Sequence, residues 1–180
     1  DPSIALKQYL AERPALDTDG ATHIRCENAL ELLAPFHAEL RPFLSALTPL
    51  WTHNDLHASN LFWDRASDDA EATAIFDFGL ADRTNAVHDL AHAIERNIVE
   101  WLALVHDPTH LDDVPVHLDH LLALLDGYES VRPLSVEEAA ALAPMTALCH
   151  AEFALSEADY FLGILHSPEK AAMASEGWLA

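Results

Sequence analysis

The stretch WTHNDLHASN, residues 51–60, decides how this sequence is read. It breaks into two long tracts of helical periodicity with polar residues that fit no helix face. It also sets His53, Asp55 and Asn60 in the spacing H-x-D-x-x-x-x-N, and Asp77-Phe78-Gly79 begins seventeen residues after Asn60. Between the two motifs, Leu61-Phe62-Trp63 and Ala72–Asp77 are short apolar runs around the polar turn Arg65–Glu71, which predicts a β-hairpin. Working outward, Ile4–Leu10 has helix-compatible spacing that ends near Pro14, and residues 15–20 read as a turn. From Thr22 to Leu47, positions such as Leu30, Leu33, Phe36, Leu40, Phe43 and Leu47 recur every three or four residues. Pro35 and Pro42 should kink or split that helix.

Downstream, the stripe Leu90, Ile94, Ile98, Trp101, Leu102 and Val105 predicts a helix from Val87, ended by Asp107-Pro108. Val116–Tyr128, Ser135–Leu148 and Ala151–Leu165 read as further helices, and Pro168 opens a last one. Ser135-x-x-Glu138 has the form of a capping box. Trp51, Trp63 and Trp101 read as core anchors around the loop. No internal repeat or low-complexity tract occurs. The expected fold is mainly α with a small β-hairpin, one domain over residues 1–180, its chemistry carried by the polar loops beside the hairpin.

Bulk properties agree with a globular chain. Of its 180 residues, 51% are hydrophobic and only five are Gly, and Ala and Leu bias it toward helix. A net charge of −21 repels nucleic-acid phosphates and anionic lipid, so neither nucleic acid nor membrane is an expected partner. The same charge attracts cationic substrates and metal ions, though acidity also simply keeps a protein soluble. Cys26 and Cys149 lack the short spacing of a disulfide scaffold or a cysteine-based zinc site. No basic-then-apolar leader and no apolar run of spanning length is present, so a cytoplasmic location is the default.

H-x-D-x-x-x-x-N followed by D-F-G is the spacing of a kinase catalytic loop and metal loop. Phosphoryl transfer needs a carboxylate to position and deprotonate the attacking hydroxyl, and oxygen ligands for Mg²⁺. On this reading Asp55 is the base and Asn60 and Asp77 are the metal ligands, with Gly79 letting the backbone turn behind Asp77. Each motif alone is weak. Together, a chance occurrence is on the order of 1 in 10,000 for this composition.

Thr52–Trp63 followed by Ala74–Asp82 resembles the aminoglycoside phosphotransferase and choline kinase superfamily, whose loop often reads H-G-D-x-H-x-x-N before a D-F-G or D-W-E type loop. His57 matches that family's second loop histidine, Asn54 stands where Gly is common, and His88-Asp89-Leu90-Ala91 resembles its D-L-A element. The resemblance runs from about residue 22 to the end, with its specific motifs in residues 51–91. It implies the α-helical C-terminal lobe of a protein-kinase-like phosphotransferase, passing the γ-phosphoryl group of ATP to a hydroxyl of a small, possibly cationic molecule with Mg²⁺. It further implies that His53 and His57 support the catalytic loop and that Asp89 braces its backbone. Glu152, Glu157 and Asp159, in the C-terminal helices, would receive the substrate.

One departure bears on the whole. Neither Lys7 nor Lys170 lies in a V-A-I-K-like strand, and Gly20, Gly79, Gly127, Gly163 and Gly177 form no phosphate-covering loop. The N-terminal ATP-binding lobe is therefore expected to be absent from residues 1–180, which would be a fragment inactive on its own. Plainer readings stand beside these: Asp55 or Asp77 as turn residues, Asp89 as a helix N-cap, Glu152, Glu157 and Asp159 as a solvated helix face. His150, Phe153 and Tyr160 would line a pocket or pack in the core. Two other functions compete. His53-x-Asp55-x-His57 with His88-Asp89 would suit a metal-dependent, HD-like phosphohydrolase. A truncated, non-catalytic lobe would instead bind a partner, or a second copy, through the surface an N-lobe covers.

Overall fold

The computed structural model describes residues 2–18, 20–67, 69–101 and 114–178. The chain begins with helices α1 (Pro2–Ala11), α2 (Pro14–Thr18) and α3 (Gly20–Leu40). The turn expected over residues 15–20 is instead mostly the short helix α2, for which Pro14 is pre-set as a first helical residue. Asp19 lies outside the described residues. Pro35 is carried inside α3, whereas the periodic tract expected to reach Leu47 leaves the helix after Leu40 and runs on as turns through Pro42.

Two two-stranded antiparallel sheets follow. β2 (Leu61–Trp63) pairs with β3 (Ala72–Ile75), the expected hairpin. β1 (Pro49–Thr52) pairs with β4 (Asp82–Asn85) in a sheet that apolar patterning does not reveal, because β4 is Asp-Arg-Thr-Asn. This second sheet closes the ends of the motif-bearing segment onto each other.

Helix α4 (Ala86–Ile98) starts at the N-cap Asn85, whose side chain accepts from the His88 N–H; Asp89 sits in the first turn and is not the cap. It ends at Ile98, well before Val105, because Val99 bridges Val116 and the His117 N–H bonds the Ile98 carbonyl. Leu102, Val105 and Asp107-Pro108 lie outside the described residues. α5 (Leu118–Val131) then leads to α6 (Val136–Asp159), a single helix where the sequence suggested two. Its Ala-rich sequence is started by a complete capping box between Ser135 and Glu138 and continues through Pro144. A wider turn, Tyr160–Ile164, and α7 (Pro168–Trp178) complete the described chain.

α6 is the central element, roughly 36 Å long at 1.5 Å per residue. Its Ala141, Met145 and Cys149 pack with Leu40, Leu47, Val87 and Ala91, joining α3 and α4. Further along, Ala154 and Ala158 pack with Leu10, Leu16 and Ala174, joining α1, α2 and α7, with Trp101 at the margin. Trp51 and Trp63 are not core anchors: they are 73% and 46% exposed. With Phe62, Ile75, Phe78 and Leu80 they make the sheets an apolar surface face.

Candidate active site

Residues 52–60 form a loop whose polar groups are almost all engaged. Thr52 is buried, and its Oγ1 lies 2.8 Å from Asn54 Oδ1, 3.0 Å from the Asp82 carbonyl and 2.6 Å from Thr84 Oγ1. His53, also buried, donates from Nε2 to the Phe76 carbonyl (2.8 Å) and accepts at Nδ1 from the Asp55 N–H (3.3 Å). These two bonds specify the neutral Nε2–H tautomer and tie the loop to the backbone that enters Asp77. Phe78 packs against the same ring in a tilted contact, with centroids 4.8 Å apart.

Asn54 has φ 63°, in the left-handed region that Gly, Asn and Asp tolerate best. Its side chain is then used in full: Oδ1 accepts from Thr84 Oγ1 (3.1 Å) and faces His88 Nδ1 (3.2 Å), and Nδ2 donates to the Leu80 carbonyl (3.0 Å).

α4 grips this loop along one side. The Asn54 N–H donates to Asp89 Oδ1 at 2.8 Å, a charge-assisted bond. Asn97 donates from Nδ2 to the Leu56 carbonyl (3.0 Å) and accepts the Ala58 N–H at Oδ1 (2.9 Å). Arg96 places Nε 3.5 Å from Asp55 Oδ1 while its guanidinium lies 3.9 Å over the Phe153 ring.

Asp55 sits where these supports meet, with 22% of its side chain exposed. Asn60, buried, donates from Nδ2 to the Asp55 carbonyl (2.9 Å) and to Asp55 Oδ2 (3.3 Å). His57 Nε2 stands 3.6 Å from the same oxygen, and its Nδ1 is 2.7 Å from Ser59 Oγ. Burial pulls the His57 pKa down; Asp55 opposes and the nearby Arg96 charge assists, so the ring is neutral near pH 7.

Asp77 comes close by backbone pairing. The Phe76 N–H bonds the Asn60 carbonyl (3.1 Å), and Asp77 is the next residue. Its carboxylate is exposed and has no ion pair among the described residues. The left-handed residue here is Asp77 itself (φ 61°), not Gly79, since no described glycine has positive φ. At Gly79 a Cβ would lie 3.3 Å from Asp77 Oδ1, a tight contact that a small shift of that exposed carboxylate would relieve.

Asp55 opens on a cavity of about 340 Å³ whose lining includes Arg13, Asn54, Asp82, His88, His92, Arg96, Phe153, Glu152 and Glu157. Asp159, Asn60 and Asp77 do not line it. Asp159 pairs with Arg13 (3.4 Å), which is itself on the cavity wall. Burial raises the Glu157 pKa, against the Arg96 charge and with that of Asp55. For Glu152 burial works upward, but the hydrogen bond with His88 and the proximity of His88 and His92 outweigh it and hold the carboxyl well below its usual range. That side chain is 58% exposed to the cavity, so its desolvation is partial.

A family model described as APH, phosphotransferase enzyme family, matches residues 2–134. The chain belongs to that family. No curated protein and no solved structure matched it. The helices and short antiparallel sheets are accordingly the C-terminal helical lobe of a kinase-like fold, in a phosphotransferase of the kinase type.

Kinase-type phosphotransferases generally use ATP and Mg²⁺. The donor set here suits such an ion: a carboxylate at Asp77 and the Asn60 amide, which with Nδ2 turned to Asp55 presents its oxygen away from it. By contrast, both ring nitrogens of His53 are occupied, so the His53-Asp55-His57 chelate of a phosphohydrolase does not form. Arg96 and Asn97 had no motif to announce them. The available signal was spacing: Asp89, His92 and Arg96 lie three and four residues apart, on one face of α4.

Proposed function

We propose that this phosphotransferase moves the γ-phosphoryl group of ATP to a hydroxyl of a small molecule, with Asp55 as general base. The observation that carries this reading is the position of Asp55. Its carboxylate is held by Asn60 and Arg96, on a loop fixed by Asp89 and Asn97, at the mouth of a cavity of small-molecule size. The acceptor hydroxyl would donate its proton to Asp55 as its oxygen bonds to the γ-phosphorus, and the bond to the ADP oxygen breaks. Asn60 and Asp77 would hold Mg²⁺, which supplies charge neutralisation on the phosphates. His53 keeps the two loops at a set distance, and His57, neutral, walls the far side of Asp55.

Glu152 and Glu157 line the cavity with Asp55, and the chain carries a net charge of −21. Both favour a cationic acceptor, an amine-bearing alcohol or sugar. In the same reading the nucleotide is covered by elements outside residues 1–180. Exposed Trp51, Phe62, Ile75, Phe78 and Leu80 beside the Asp77 loop are the apolar face on which such a lobe, or a second copy, would seat. The location read for the protein is cytoplasmic; no helix among the described residues is long and apolar enough to cross a membrane.

The test is Mg²⁺-dependent transfer from γ-labelled ATP to a panel of hydroxylated amines and neutral sugars. It is run on residues 1–180 alone and on a form carrying an ATP-binding lobe. Labelled amine product from the second form alone is the expected result. Release of inorganic phosphate without any acceptor product would overturn the kinase reading, and equal rates from both forms would overturn the missing-lobe reading.

A further inference from the structure

In the cavity wall, α4 and α6 bring together four side chains, of which the function proposed above uses only Glu152, as part of the acidic lining. His88 and His92 are four residues apart on α4, and Cys149 and Glu152 are three apart on α6, so each pair shares a helix face. One ligand atom from each of the four lies within 4.8 Å of all the others. We propose that His88, His92, Cys149 and Glu152 form a binding site for one transition-metal ion, with Zn²⁺ the best fit.

His92 points most directly to a ligand. Its side chain is 7% exposed, and its Nε2 is buried without a hydrogen-bond partner. That nitrogen faces Glu152 Oε2 at 3.6 Å, beyond hydrogen-bond reach. An orphaned nitrogen in a core normally costs stability, and a metal ion between it and the carboxylate would satisfy both. His88 is oriented for the same task. Asn54 must present its oxygen to His88 Nδ1, because its nitrogen donates to the Leu80 carbonyl. His88 Nδ1–H is then the donor, and Nε2 is directed to Glu152 Oε2, 3.1 Å away. A ligand histidine whose other nitrogen is fixed by a carbonyl oxygen is the usual outer-sphere arrangement of protein metal sites.

Donor type and size agree. Two imidazoles, a thiolate and a carboxylate match the ligand chemistry of Zn²⁺ and not of Mg²⁺, which separates this site from Asn60 and Asp77. Bonds of about 2.0–2.3 Å to a tetrahedral ion set its ligand atoms roughly 3.3–3.8 Å apart. The two Glu152 contacts, 3.1 and 3.6 Å, are already near that spacing, and since every pair lies within 4.8 Å none needs to close by more than about 1.5 Å. The four ligands together carry two negative charges, which a divalent ion cancels. Glu152 faces the cavity, so an ion has a way in. Spacing along the sequence argued against a cysteine-based zinc site because it looks for paired cysteines; here a lone cysteine joins ligands from another helix. Four protein ligands leave no open position, so the ion would be structural, fastening α6 to the helix that braces the Asp55 loop.

The test uses the full chain, stripped by chelator and titrated with Zn²⁺ or Co²⁺ alone. One equivalent bound per chain is expected, with a thiolate-to-Co²⁺ charge-transfer band and a rise in Tm on adding Zn²⁺. Glu152→Gln, at an exposed side chain, should weaken Zn²⁺ by more than the roughly 10–100-fold that losing an outer partner costs. Cys149→Ser should abolish the charge-transfer band, while His120→Ala, in the exposed His117-Asp119-His120 group, should leave Zn²⁺ affinity unchanged. No metal uptake, or uptake indifferent to Glu152→Gln and Cys149→Ser, would overturn the proposal and leave Glu152 as an ion-pair partner of the histidines.

Discussion

The loop carrying Asp55 and the loop carrying Asp77 are one hydrogen-bonded step apart, yet they are built in opposite ways. Around Asp55, backbone groups of Asn54, Leu56 and Ala58 are each held by a side chain of α4, and Asn60 and His53 are buried. Around Asp77, the carboxylate is exposed and so are the apolar residues Phe76, Phe78 and Leu80. The Asp55 half of the site is thus completed by the helical lobe itself. The Asp77 half is fastened through the bonds of Phe76, the Leu80 carbonyl and the Phe78 ring contact, and its own side chains stay on the surface. Pre-organisation is concentrated at Asp55, where the general base proposed above would need close placement.

The predictions probe that contrast, beginning with the largest effect. In an ATP-competent form, Asp55→Asn should lower kcat by about 10²–10⁴-fold with an unchanged unfolding midpoint. Turnover within a few-fold of the parent would remove Asp55 from its role. Asp89→Ala leaves the Asn54 N–H without its acceptor and should cost about 1–3 kcal/mol, measured by denaturant titration. Trp51→Ser, on the open face, should change the stability of the lobe by less than about 0.5 kcal/mol. If these two costs are equal, the contrast between the halves is wrong.

The smallest effect is in pH. Burial holds His57 below its ordinary value of about 6.5, so below that pH the unfolded chain binds a proton that the folded chain does not. Stability from this group is present above about pH 6.5 and falls as the pH drops toward the lowered folded value. His57→Gln should flatten the stability–pH curve between about pH 7 and 5. An unchanged slope would place the acid sensitivity elsewhere.

How legible this was in the sequence follows the same division. The hairpin, the capping box at Ser135 and the mainly helical lobe could be read directly, because apolar spacing and cap chemistry are local signals. The β1–β4 sheet could not, since β4 is polar and pairs with a distant segment, with Thr52 and Thr84 in contact though thirty-two residues apart. Helix ends were misjudged where tertiary bonds intervened, as at Val99–Val116. The motif residues were singled out by spacing, and Asn54 in the glycine position is explained by its left-handed backbone. Arg96, Asn97 and the partner of Asp159 are contacts between distant segments, which no linear pattern encodes.

The contrast can be read most directly by amide hydrogen exchange on residues 1–180. The Asn54 and Ala58 amides, which donate to Asp89 and Asn97, should exchange slowly. Those of Phe78 and Gly79, unpaired among the described residues, should exchange near the rate of free peptide. Equal protection of both loops, or a fast-exchanging Asn54, would contradict an Asp55 loop assembled by this lobe alone.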